Sequence, residues 1–171
     1  MANGGPEGPS AAQPDHAVLA GLLAVSRALV GLTARSLSEL PTELTLPQYR
    51  VLLVLAAHGP LRAGDLATEL GLAPSTVTRN CDRLVRRGLL RRFRRPEDRR
   101  GSWLALTGSG TELIGTVQRH RRDQVASLLS RADPPAPERF AAGLAALAEA
   151  AGELPEQVWW QRWAASARGD D

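Results

Sequence analysis

The stretch DLATELGLAPSTVTRNCDRLVRRG, residues 65–88, leaves the chain little freedom. Ala67, Gly71 and Val77 are spaced by four and six, which suits two helices crossing at a steep angle. The small residue lets the helices approach, glycine takes the left-handed turn, and the branched apolar residue seals the contact. Pro74 fits a first helical turn, where its missing N–H has no partner to lose. A short helix closing at Gly71 and a longer one ending at Gly88 are therefore expected.

The flanking segments extend this pattern. From Asp15 to Leu40 apolar residues recur at three- and four-residue steps, a helical period, and Pro41 ends it. Thr45 and Gln48 have capping-box spacing, opening a helix that runs to about His58 and stops at Gly59-Pro60. After Gly88 the period becomes two: LLRRFRR and SWLALT read as a hairpin with a charged tip at Pro96, Asp98 and Gly101. Thr107 can cap a long helix to about Arg131, and a last Ala/Leu-rich helix covers roughly 138–152. The expected fold is mainly α with a small β-wing, a winged helix-turn-helix between long flanking helices. Its parts are an arm over residues 1–14, a domain over 15–152 with the winged module at about 47–107, and a tryptophan-bearing tail over 153–171.

Charge narrows the partner. Net charge is only +3, yet residues 79–100 carry ten arginines against Asp82, Glu97 and Asp98. That segment is at +7 and the remainder at −4. Crowded like charges call for a counter-charge that the chain itself supplies too sparsely, which points to a polyanion. A second helix of this kind fits the DNA major groove, roughly 12 Å wide, with its N-terminal residues nearest the bases. Those residues are Pro74, Ser75, Thr76, Thr78, Arg79 and Asn80. Arg79 suits a bidentate contact to guanine, and Pro74 an apolar contact to a thymine methyl. Val77, Cys81, Leu84 and Gly88 share the opposite face, while Arg83, Arg86 and Arg87 are placed to meet phosphate. The hairpin becomes a wing along the duplex, with Arg94, Arg95, Arg99 and Arg100 at its tip and Asp98 orienting a guanidinium.

LTLPQYRVLLVLA, DLATELGLAPSTVTRNCDRLVRRGLL and the wing RRPEDRRGSWLALT with its Asp-x-Arg resemble the MarR family of bacterial transcriptional regulators over roughly residues 15–152. The resemblance implies an obligate homodimer built by the first and last helices, bound to a near-palindrome in double-stranded DNA. It implies a repressor released by a small, often phenolic or anionic, effector in the cleft between the dimer and DNA-binding parts. Asp98 and Arg100 match the family's wing pair. Asn80 and Cys81 stand where members usually carry two apolar residues. Asn80 then either contacts adenine or fills an internal gap. Cys81 reads as a small buried apolar residue, with a redox switch as the alternative. The tail tryptophans either pack on the dimer or wall a ligand pocket.

Other classes find less support. No nucleophile–base set or phosphate-cradling glycine loop is present, so no enzyme and no cofactor are expected. His16, His58 and His120 are scattered without metal-ligand spacing, which leaves a metal-responsive member as a minor alternative. The first residues lack the basic and apolar regions of a signal peptide, and the longest apolar stretches, such as 51–57, fall short of the roughly 20 residues of a span. With one cysteine, a cytoplasmic protein without membrane contact is expected. A non-specific architectural or RNA-binding protein and a protein-interaction winged helix remain competing readings.

Overall fold

The computed structural model of the chain describes residues 15–40, 43–96 and 98–168, with the side chains of 98–101, 167 and 168 outside that description. The expected arm over residues 1–14 and the stop at Pro41 also lie outside it. Seven helices and a three-stranded antiparallel sheet are formed by the described residues, in the order α1 His16–Ser38, α2 Leu46–His58, β1 Leu61–Arg62, α3 Ala63–Leu70, α4 Pro74–Arg86, β2 Leu90–Arg95, β3 Asp98–Leu106, α5 Gly108–Ala132, α6 Pro137–Ala150 and α7 Glu156–Arg168.

The local signals act where the residues place them. Thr45 and Gln48 form a reciprocal capping box at the start of α2: the Gln48 amide donates to Thr45 Oγ1 at 3.4 Å and the Thr45 amide to Gln48 Oε1 at 3.1 Å. Thr107 Oγ1 accepts from the Gly110 amide and opens α5. Between α3 and α4, Gly71 adopts φ 62, and the amides of Gly71 and Leu72 close the helix end on Thr68 and Ala67 carbonyls. Any Cβ there would be strained, so the turn that sets the α3–α4 crossing depends on glycine. Gly88 ends the following stretch with φ 70.

The sheet order is β1-β3-β2, with Leu61 opposite Leu104 and Leu90 opposite Leu106. β1 is absent from the sequence reading because two residues carry no period. The core lies beneath this sheet. Val51, Leu52 and Leu55 of α2, Leu66 of α3, Val77, Cys81 and Leu84 of α4, Leu104 of β3, and Ile114 and Val117 of α5 are all fully or almost fully buried. Each large side chain contributes roughly 1.5–3 kcal/mol. α4 is thereby fixed by one face only.

Residues 153–171 were expected as a tail, but most of them form α7, which docks on α2 and α5. Trp159 joins the core, and the Trp163 indole N–H donates to the Thr111 carbonyl at 3.0 Å. Trp163 fits because α5 carries glycine at 115; a Cβ there would lie 2.5 Å from the ring. Arg162 donates to the Ala57 carbonyl at the end of α2. These tryptophans therefore pack on their own chain.

α1 and α6 differ from everything else. α6 buries no residue, and α1 buries only Thr33, Ser36 and Leu37. Val18, Leu22, Leu23 and Val30 are exposed, as are Phe140, Leu144 and Leu147. By length and composition α1 is also apolar enough to cross a membrane, with mean hydropathy 1.9. This corrects the reading that no stretch approaches a span. Counting unbroken runs of large apolar residues missed it, because alanine, glycine and serine separate the leucines here without adding charge.

Candidate nucleic-acid interface

α4 is amphipathic in the plainest sense. Val77, Cys81 and Leu84 are buried, while Pro74, Ser75, Thr78, Arg79, Arg83 and Arg86 are exposed, with Thr76 half-buried. No side-chain hydrogen bond from Ala73 caps the start of α4, a helix terminus whose dipole favours anions. The Thr78 hydroxyl donates to the Pro74 carbonyl at 2.9 Å, which leaves its oxygen as an acceptor toward a partner.

One expectation needs correction. Asn80, expected among the possible base contacts, is only 9% exposed and lies with Val77, Cys81 and Leu84 on the packing side. The spacing explains this, because residues 77, 80, 81 and 84 form one helical stripe. Arg95, expected at the wing tip, is half-buried there with its guanidinium carbon 3.8 Å from the Trp103 ring centroid. The side chains of Asp98, Arg99 and Arg100 lie outside the described residues; their backbone belongs to β3.

The wing's two faces hold their arginines differently. Pairing places Arg92 opposite Leu104 on the face toward α4, where it forms a 2.6 Å ion pair with Asp82. Phe93 and Trp103 pair on the other face, with Arg91 over Phe93 and Arg62 and Arg95 over Trp103. Arg94 is exposed. Arg92, Asp82, Arg62 and Trp103 were not singled out from the sequence. The alternation of Phe93 and Trp103 with arginines in the two strands was the available signal.

Cys81 is fully buried, and burial pushes its thiol up to about 11 against a smaller opposing pull from Arg92. A thiol held protonated in this way is a poor redox sensor. His120 contacts Glu39, just past the end of α1, at 3.1 Å and Gln124 at 2.9 Å, tying the end of α1 to α5. Among the described residues no cluster of three metal-binding side chains occurs.

A cavity of about 710 Å³ opens between α2, α5 and α7, lined by Arg50, Val54, Gln118, Arg121, Trp159 and Trp160 among others. At its polar end Arg121 donates to the Tyr49 hydroxyl at 2.8 Å, and that hydroxyl donates to Gln118 Oε1 at 2.9 Å. Burial raises the Tyr49 pKa and Arg121 partly offsets it, so the phenol stays protonated. Among the described residues, buried Arg121 Nε and Trp159 Nε1, like Thr111 Oγ1, have no hydrogen-bond partner.

A steep helix pair with one basic exposed face, backed by a three-stranded wing, defines a winged helix-turn-helix protein. Comparison with known proteins agrees. The MarR family model matches residues 44–102. The chain is similar to the crystal structure of RV1404 from Mycobacterium tuberculosis, with 35% identity and a TM-score of 0.77 over 85% of this chain and 99% of that one. It is also similar to the PcaV transcriptional regulator from Streptomyces coelicolor, solved with its natural ligand, at 33% identity and a TM-score of 0.56 over 82% and 99%. Among curated proteins, the HTH-type transcriptional regulator YhbI of Bacillus subtilis is 38% identical over 74 residues, 43% of this chain. The match covers 48% of YhbI, so the chain spans about half the length of this curated relative. The chain belongs to the MarR family.

Proposed function

We propose that this chain is a homodimeric, sequence-specific DNA-binding transcriptional regulator, a repressor released from a palindromic operator by a small-molecule effector. The observation that carries the reading is α4, anchored in the core by Val77, Cys81 and Leu84 while Ser75, Arg79, Arg83 and Arg86 stay exposed beside an arginine-bearing wing. In this reading Arg79, with Pro74, Ser75, Thr76 and Thr78, reads base edges. Arg83, Arg86 and the wing arginines 94, 95, 99 and 100 meet the phosphate backbone. The exposed apolar faces of α1 and α6 support a second copy as the dimer partner, since such patches need covering.

Effector release is supported by the cavity between α2, α5 and α7. It offers apolar walls and a lining that includes the cationic Arg50, Arg121 and Arg122, so its best occupant is an acceptor-headed molecule such as an aromatic carboxylate. PcaV, solved with its natural ligand, is a relative in which a ligand is bound.

Selection of duplexes from a random pool tests the DNA reading. One preferred palindrome is expected, with specificity of at least about 10³ over random duplex. Arg79→Ala should relax base preference at one position per half-site, at about 1–3 kcal/mol, whereas Arg86→Ala should weaken all sequences alike. Equal binding to every duplex favours an architectural role instead, and no binding even at low salt removes nucleic acid altogether.

A further inference from the structure

The cavity between α2, α5 and α7 brings opposite charges into one lining. Arg50 of α2 and Arg121 and Arg122 of α5 share it with Glu153 and Glu156, the latter in the first turn of α7. Arg122 is engaged by a carboxylate of its own chain, its Nε 3.7 Å from Glu156 Oε1. The same oxygen accepts from the Trp160 indole N–H at 3.3 Å. Arg121 is held differently, donating to the neutral Tyr49 hydroxyl and to Gln118 Oε1.

Glu156 thus bridges a guanidinium and an indole that both line the cavity. These are the two groups that an aromatic carboxylate needs, one for its charge and one for its ring. The Arg122–Glu156 pair is also loosely held. Its side chains are 64% and 61% exposed, and an ion pair so open to water adds little stability. A ligand that buries its ring against Trp159 and Trp160 gains apolar contact beyond what Glu156 makes, so it can take the guanidinium in exchange. The displaced carboxylate opens α7, and α7 reaches further. Arg162 and Trp163 donate to the carbonyls of Ala57 and Thr111, close to where α2 precedes β1 and α5 follows β3.

We infer that Glu156 is an internal competitor at this cavity: its carboxylate stands in for that of the ligand at Arg122 and gives way to an aromatic monocarboxylate. The inference rests on the effector reading above. It goes beyond that reading by making the start of α7 the part of the chain that ligand entry displaces.

The test uses the full-length protein and two probes of one shape, 1-naphthoate and its neutral amide, with affinities measured by calorimetry. Wild type should bind the acid more tightly than the amide. Glu156→Gln keeps the size of the side chain and an acceptor for Trp160 but removes the competing charge. It should tighten the acid about threefold, the scale of an open ion pair, and leave the amide unchanged. In an Arg122→Gln background the same change should lose its effect. An acid affinity unmoved by Glu156→Gln, a gain shared by the amide, or an equal gain without Arg122 overturns the inference. If Glu156→Gln unfolds α7, Glu156→Asp decides, since it keeps the charge at the helix start and draws the carboxylate back by one methylene. It too should tighten the acid alone, and no gain overturns the inference. A wild type that binds neither probe, or binds the amide as well as the acid, defeats the effector reading and this inference with it. A wild type that prefers the acid, with Glu156→Gln no tighter, defeats only the inference.

Discussion

The exposed face of α4 with the wing, and the exposed faces of α1 and α6, are both incomplete surfaces, but they lack different things. The first presents Arg79, Arg83, Arg86 and Arg94, all exposed. The second presents Val18, Leu22, Leu23, Phe140, Leu144 and Leu147, each at least 41% exposed. Salt separates the two kinds of deficit. Contacts between guanidiniums and phosphates weaken steeply as counterions accumulate, because their driving force is ion release. Burial of apolar surface is not screened and is strengthened by excluded salts. The same chain should therefore leave DNA at a salt concentration where its copies remain joined.

The largest expected effect breaks the apolar side of this comparison. Leu22→Asp combined with Leu144→Asp removes two side chains that contribute roughly 1.5–3 kcal/mol each when buried, and places charges in their stead. Dimer affinity should fall by on the order of 10³ or more. Sedimentation equilibrium in 0.1 M and 1 M sodium chloride checks both parts of the statement. The wild type should be dimeric in both, and the double variant monomeric. A dimer that dissociates in high salt, or survives the double substitution, would show that α1 and α6 meet something other than a second copy.

A smaller effect concerns the buried side of α4, which holds the basic face in place. Cys81 has its thiol pushed up to about 11 by burial, while in the unfolded chain it titrates near its ordinary value of 9. Below about pH 9 both states carry the proton and the contribution is fully present. Between pH 9 and 11 the unfolded chain releases its proton first, so folding stability should decline, by on the order of 1–2 kcal/mol. Tyr49, also raised by burial, adds a decline of the same sign that begins near its ordinary value of 10, within the same range. Urea midpoints measured from pH 8 to 11 should show the loss, and Cys81→Ala should remove the cysteine's share of it. A steepness unchanged in Cys81→Ala would mean that the thiol is not held neutral by the core.

The residues that stabilise the fold announced themselves better than those that orient the site. Thr45, Gln48, Gly71, Gly88 and Thr107 carry short-range instructions, each a cap or a left-handed turn whose cause lies within four residues. The stripe of Val77, Cys81 and Leu84 was likewise readable from period alone. Long-range pairings were not. β1 exists because Leu61 and Arg62 find β3 some forty residues later. α7 exists as a docked helix because Trp163 meets Gly115. Asn80 had two readings open, and only the packing of α4 selects the buried one. Of the wing arginines, sequence gives the number, but strand register decides which meets a carboxylate and which meets a ring.

Asp82 offers the finest probe of that division, and the smallest effect. Its ion pair with Arg92 joins α4 to β2, with both side chains about two-fifths exposed, 42% and 40% respectively. A pair so open to solvent contributes little to stability, well under about 1 kcal/mol. Its larger consequence is electrostatic, because the carboxylate both occupies Arg92 and repels any phosphate that approaches the groove between helix and wing. Asp82→Asn should leave the melting temperature within a few degrees of wild type. It should raise affinity for random duplex a few-fold and steepen the salt dependence by about 1, as Arg92 becomes able to meet a phosphate. The preferred palindrome should gain no more than random duplex does, so the ratio between them stays flat or falls. If instead Asp82→Asn weakens binding, the pair acts chiefly by fixing the angle of the wing, and the two faces of the hairpin differ less in purpose than in the chemistry that holds them.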